Sequence, residues 1–361
     1  MTLLYRSKWT FTDSLYCKSV RGLAFSPDGS YLAYGSGENL CILNAIDKRL
    51  VYIVRGRNTP KGVSTVTALT WLPHDAFHLL CTFSDGLIAT VTRLANQLHV
   101  GGIESMVPSV THIAVNTSGT RLATGGDSGI SIWFKASTGT WRLVKQLGPP
   151  QRFQDNAYMP IEVTGMHWLE SKTDQLIVVY KAHGVQLWNI SAGTVIASIL
   201  TTSNPIGSSS LSPDYKTLVL AMQRGYDVHH LETHVPLVSI PHELHAPGPV
   251  IFLHGGLALL GASRRGEVSL WGSSDGEKLQ DMKQNSSDNW QSLAAYDDKF
   301  LIATATSKKI ILWEAVEEEK KEDSAPSVAG GQLGGNWWVV IALSTVIALL
   351  LNLLLELKSK L

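Results

Sequence analysis

Val20-Arg-Gly-Leu-Ala-Phe-Ser-Pro-Asp-Gly-Ser-Tyr-Leu-Ala-Tyr-Gly35, followed by Asn39-Leu-Cys-Ile-Leu-Asn44, decides how the rest of the chain is read. Two β-rich runs flank Ser26-Pro-Asp-Gly29, where Pro presets φ, Asp can bond backbone ahead of it and Gly accepts a positive φ. A second tight turn around Gly37-Glu38 leads into a third apolar run. The stretch reads as strand, turn, strand, turn, strand.

Working outward, similar units start near Val66, Val110, Val163, Ile206, Val250 and Trp290, at intervals of 46, 44, 53, 43, 44 and 40 residues. Repetition at such a period marks a repeat architecture. A second ruler runs from the last apolar residue before each first turn to an apolar residue late in the third strand. It gives Phe25/Leu43, Trp71/Val91, Val115/Trp133, Trp168/Trp188, Leu211/Val228, Leu253/Trp271 and Tyr296/Trp313, separated by 18, 20, 18, 20, 17, 18 and 17 residues. A random all-β chain would not hold that spacing through seven copies. After the third strand of the last copy, Lys309-Ile-Ile-Leu-Trp313, the chain runs into charge and offers no fourth strand. An orphan run, Leu3 to Phe11, stands before the first copy and can supply it, closing a ring of seven. Closed repetition protects sheet edges.

These motifs resemble the WD40-repeat β-propeller family over most of residues 1–316. The resemblance rests on Phe25-Ser-Pro-Asp-Gly29, Leu211-Ser-Pro-Asp214, Ser84-Asp-Gly86 and the Leu-Trp ends at Trp188, Trp271 and Trp313. No copy ends in a strict Trp-Asp, and the usual Gly-His before the first strand is missing, with His245 an approximate substitute. The departures leave the blades to rely on apolar packing. The expected fold is all-β: a seven-bladed propeller over 1–316, with strand 3–11 closing the last blade. What the resemblance implies about function is protein binding, although a fold alone settles none.

Beyond the repeats the composition changes. Residues 317–336, beginning EEEKKED and continuing SAPSVAGGQLGGN, read as a flexible linker. Trp337 to Leu355 is then nineteen residues without a charge. At ~1.5 Å per residue it is long enough to cross the ~30 Å hydrocarbon core, and Trp337 and Trp338 suit the membrane interface. Only 356–361 follows, so the expected element is a tail anchor inserted after translation. The last three residues, Ser359-Lys-Leu361, match a peroxisomal address, which an inserted anchor would carry out of the cytosol. The propeller is expected to face the cytosol. The endoplasmic reticulum is the first expectation for its membrane, with the peroxisomal or mitochondrial outer membrane as alternatives.

Thirty Lys+Arg balance thirty Asp+Glu, which excludes a surface built throughout for nucleic acid. Cys17, Cys41 and Cys81 lie far apart, so neither a disulfide scaffold nor a zinc ribbon is expected. There is no P-loop, and Gly35-Ser-Gly37 lacks the third glycine of a dinucleotide loop and sits at a repeat turn. No nucleophile elbow occurs. His229, His230, His234, His242, His245 and His254 crowd a proline-rich connection without zinc spacing and read as loop or rim histidines. Asn116, Asn189 and Asn285 open glycosylation sequons that matter only in a secretory lumen. No cofactor, metal or catalytic residue is expected.

The turns between second and third strands line one face in this family. They carry Glu38, Asp85 and Asp127 in copies one to three, then Lys181 and His183, Arg224, Arg264 and Arg265, and Lys308 and Lys309. One side of the ring is expected to be acidic and the larger side basic, with Arg55 and Arg57 diluting the acidic sector. This face is the expected partner-binding site. The leading reading is a non-enzymatic, membrane-anchored scaffold that binds protein partners and, through its helix, the bilayer. The alternative is a membrane-bound guanine-nucleotide exchange factor of the propeller type, acting on a small coat-assembly GTPase. That activity needs a specialised early loop, and Arg55 to Gly62 is short for one.

Overall fold

The computed structural model describes residues 3–12, 15–17, 20–60, 62–95, 97–104, 110–127, 129–150, 156–170, 174–200, 204–241, 248–262, 267–282 and 290–317. Their regular structure is β-strand with short 3-10 turns, among them His254–Gly256 and Asp297–Lys299. Among the described residues no helix is long and apolar enough to cross a membrane. The proposed span, with Trp337, Trp338 and Leu355, lies outside the described residues, as do Arg264, Arg265, His242, His245 and Asn285.

Among the described residues, thirty strands form seven four-stranded antiparallel sheets and one two-stranded hairpin. Blade 1 is β2 (Val20–Phe25), β3 (Tyr31–Ser36), β4 (Asn39–Asn44) and β5 (Leu50–Arg55). The hairpin β6 (Asn58–Thr59) and β7 (Gly62–Val63) leads to blade 2, whose strands are β8 (Val66–Trp71), β9 (His78–Phe83), β10 (Leu87–Leu94) and β11 (Gln97–Glu104). Blades 3 to 6 begin at β12 (Val110–Val115), β16 (Val163–Leu169), β20 (Ile206–Leu211) and β24 (Val250–Leu253). Blade 7 has the order β1 (Leu3–Phe11), β30 (Ile310–Glu317), β29 (Leu301–Thr306) and β28 (Trp290–Tyr296). The start of each blade falls at the residue where its repeat begins in the sequence.

The chain divides into a large unit, Ser7–Glu314, and a small one, Met1–Arg6 with Ala315–Leu361. The described part of the small unit consists of strand ends, Leu3–Arg6 and Ala315–Glu317. Within the large unit each first strand contacts the first strand of the next blade, and β28 contacts β2, so the ring closes. Lys8 pairs with Glu314 at 2.8 Å, and the Trp9 indole donates to the Ala45 carbonyl at 3.0 Å. The chain's opening strand is therefore tied both to the last strand and to blade 1.

Second strands are buried on both sides because each sheet is sandwiched between two others. Leu32, Tyr34, Cys41 and Leu43 pack against Ala303, Ile310 and Leu312 of blade 7, whereas Ala33, Leu40 and Ile42 pack against Leu69, Leu79 and Cys81 of blade 2. This double burial is why these strands read as continuous apolar runs.

The turn in the opening stretch works as its residues suggest. Ser26 donates to Asp28 at 2.6 Å and accepts from the Tyr31 amide at 2.9 Å. Gly29 has φ +68°, and a Cβ there would lie 2.4 Å from the Tyr296 ring of blade 7. Blade 5 repeats the arrangement with Ser212 and Asp214. In blade 3, Asn116 replaces the serine, its Oδ1 accepting from the Thr120 and Arg121 amides at 2.9 and 2.8 Å. That sequon asparagine is buried and used by the turn.

One expectation is corrected. Apolar packing is not the blades' only support, since Trp133 donates to Thr124 and Trp313 to Thr304, each at 3.0 Å. Nine residues before Trp188 and Trp271 the chain has Val179 and Ala262, with no hydroxyl to receive the indole. The first-strand tryptophans bond across blades, Trp71 to the Ala24 carbonyl and Trp168 to that of Ala114.

Candidate functional site

In an antiparallel four-stranded blade, the second-to-third turn and the exit to the next blade emerge at the same end. All such turns and connections therefore share one face, and backbone bonds join them. The Val66 amide donates to Gly37 O at 2.8 Å, and the Ile206 amide donates to Lys181 O at 2.9 Å.

The acidic turns of blades 1 and 2 are internally neutralised. Arg55 pairs with Glu38 at 2.9 Å, and Arg57 pairs with Asp85 at 2.5 Å. Asp85 is mostly buried and also accepts the Leu87 amide at 3.2 Å, so it braces its own turn. The connection weighed for an exchange loop is the β6–β7 hairpin, preceded by these two paired arginines.

The basic side is less uniform than the sequence suggested. Arg224 and Lys308 are exposed, and Lys181 is exposed but pairs with Glu162 at 2.7 Å. His183 is fully buried, with its ring 6.3 Å from that of Tyr180. It belongs to the core and not to the binding face, because its turn folds the imidazole inward. Arg264 and Arg265 lie outside the described residues.

Asp127 is exposed and lines an open cavity of about 840 Å³ with residues 157–162. This segment belongs to the connection between β15 (Trp141–Leu147) and β16. Asn156 is buried and donates to the Ala182 carbonyl at 3.1 Å, while the Lys181 amide donates to Glu162 O at 2.9 Å. Both ends are thus fastened to the second-to-third turn of blade 4. At the crest Tyr158 is 100 % exposed and Met159 48 %. Sequence reasoning passed over this segment. Its one signal was the 53-residue interval, the longest between units.

Two further residues escaped notice. His112 and His167 lie on the inner strands of blades 3 and 4, three residues and one residue before the ruler positions Val115 and Trp168. His167 Nε2 is 2.9 Å from Ser209 Oγ on blade 5, and His112 Nδ1 is 3.0 Å from Thr111 Oγ1. Burial lowers both imidazoles to about 4, Glu162 opposing the effect at His112 and His112 adding to it at His167. Both rings are neutral at physiological pH. Among the described residues no group of three or more His, Cys, Asp or Glu is arranged to hold a metal.

The model of the WD domain, G-beta repeat, matches residues 7–43 and 105–133. These stretches contain most of the first three strands of blade 1 and the corresponding part of blade 3. With the seven four-stranded sheets, the two matches support a WD40-type propeller. No curated protein matches the chain.

Proposed function

We propose that this protein is a scaffold, held on the cytosolic side of an organelle membrane by residues 337–355, that binds protein partners through the turn-and-connection face. WD40 propellers characteristically bind proteins, and a ring rigidified by interblade bonds presents its loops with little ordering cost. The observation that carries the reading is the crest at Tyr158 and Met159, large side chains held out by anchored backbone and given no packing role. The membrane part rests on the nineteen uncharged residues and their paired tryptophans. Because β30 runs away from the turn face, the linker would leave from the opposite side, turning the turn face towards the cytosol.

The test uses the full chain in intact cells. Alkaline carbonate should leave it in the membrane pellet, and deleting 337–355 should release it. Protease added to intact organelles should remove the propeller, and a photo-cross-linker at position 158 or 224 should capture defined proteins. Extraction by carbonate, or glycans on Asn189 or Asn285, would overturn the placement. A cross-linker that captures nothing at either position would overturn the scaffold.

A further inference from the structure

We propose that the cavity between blades 3 and 4 receives a short peptide segment presenting a Lys or Arg beside a large apolar side chain. The proposal rests on the scaffold reading and names the partner chemistry at one place on that face.

The charge argument comes from neighbouring sectors. In blades 1 and 2 each acidic turn residue has a cation close by in the chain, Arg55 at the end of β5 for Glu38 and Arg57 of the connection for Asp85. In blade 3 no described ion pair holds Asp127, whose cavity is walled by Tyr158, Met159, Pro160 and Ile161. The nearby Glu162 carboxylate already has Lys181. Counting every charge of 148–162 with Asp127 and Lys181, Asp127, Asp155 and Glu162 stand against Arg152 and Lys181, leaving one negative charge. The position that receives a cation internally in blades 1 and 2 is left in blade 3 for a cation from outside.

The apolar argument comes from shape. A Lys or Arg stem can lie along Pro160 and Ile161 while its head reaches the carboxylate. The guanidinium or ammonium can also stack on the Tyr158 ring. An adjoining apolar side chain of the partner would cover Met159 and the rest of the tyrosine. Aromatic crests of this kind dominate binding energy at interfaces. Since Asn156 and Glu162 pin the segment, Tyr158 needs no rearrangement to be covered. Its exposure also means that removing it leaves the fold intact.

A random dodecapeptide display library panned on the full-length protein in detergent tests this directly. Selected clones should be enriched in Lys or Arg next to Leu, Met, Phe or Trp. Their affinity should fall at least tenfold for Tyr158→Ala and for Asp127→Asn, persist in Tyr158→Phe, and weaken with salt. Asp127→Lys should select acidic peptides instead. Thermal melts of all four variants should overlay the parent, separating binding loss from unfolding. Clones that bind Tyr158→Ala and Asp127→Asn undiminished, or that lack a basic residue, overturn the proposal. Cross-linking in cells separates this failure from that of the scaffold reading. Partners retained by the Tyr158→Ala/Asp127→Asn double variant remove the site and leave the scaffold, whereas no partners with the parent protein remove both.

Discussion

The sector spanning blades 1 and 2 and the sector spanning blades 3 and 4 are built from the same repeat and do opposite things with their charges. In the first, Arg55 at the end of β5 and Arg57 in the connection neutralise Glu38 and Asp85, and the first strands carry Gly22, Ala24, Ala68 and Thr70 two and four residues after they start. In the second, Asp127 is exposed, the connection raises Tyr158 and Met159, and the corresponding register positions include His112 and His167. Where a connection supplies the counter-charge, the turn becomes framework. Where it supplies an aromatic, the turn remains open to a partner. The difference lies in side chains on a common backbone, so exchanging them should exchange the behaviour.

The largest expected effect is an acid sensitivity greater in the inner strands of the second sector than in those of the first. His112 and His167 have folded-state values near 4 against about 6.5 unfolded. As pH falls below about 6.5 the unfolded chain takes up protons first, so stability drops between roughly 6.5 and 4 and these groups change it no further beyond. At ~1.4 kcal/mol per pKa unit, each ring contributes at most about 3–4 kcal/mol, less what residual water access screens. His78, His229 and His254 are also lowered by burial, so the global melt will slope for more than one reason. Hydrogen exchange localises it: protection should be lost first in β12 and β16 as pH falls from 7 to 4.5. His112→Ala with His167→Thr, which copies blade 2, should flatten that local loss. Equal loss in β2 and β8 would break the comparison.

Next in size is the structural cost of the acidic turns. Asp85→Ala removes an ion pair and a turn hydrogen bond from a mostly buried carboxylate, at about 1–2 kcal/mol. Asp127→Ala removes an exposed charge and should stay within about 0.5 kcal/mol of the parent. Paired denaturant melts of the full chain measure both. Matching losses would mean that Asp127 is framework too.

The ring itself was legible because its marks are local. Turn residues and doubly buried apolar runs recur at a measurable spacing, and first strands start at Val20, Val66, Val110, Val163, Ile206, Val250 and Trp290 as the repeats indicate. Pairing across the face was harder, because Arg57 and Asp85 are 28 residues apart and meet only when two blades stand side by side. His183 misled for a related reason. A turn residue beside Lys181 looks exposed in sequence, and only the packed ring shows the imidazole against Tyr180. The Thr124–Trp133 bond could have been found by counting nine residues back from each tryptophan, since that diagonal falls on one face of the paired strands. The 53-residue interval announced an extra connection but not which of its side chains would stand clear.

The smallest effect concerns converting the first sector into the second. Arg55→Ala with Arg57→Ala would leave Glu38 and Asp85 without their cations, giving two uncompensated carboxylates where the parent has ion pairs. Stability should change little through Glu38, because an exposed pair is worth about 0–1 kcal/mol. Asp85, being mostly buried, would account for most of any loss. The informative readout is association, since rim charge acts on encounter rate more than on affinity. An octalysine peptide should bind the double variant about two- to threefold faster than the parent at ~10 mM salt, where the Debye length is ~30 Å. The advantage should disappear near 150 mM, where it shrinks to ~8 Å. No aromatic crest stands beside these turns, so the captured peptide should also leave quickly. Tight, salt-resistant binding by the variant would show that charge alone makes a site on this face, and that Tyr158 is not what distinguishes blades 3 and 4.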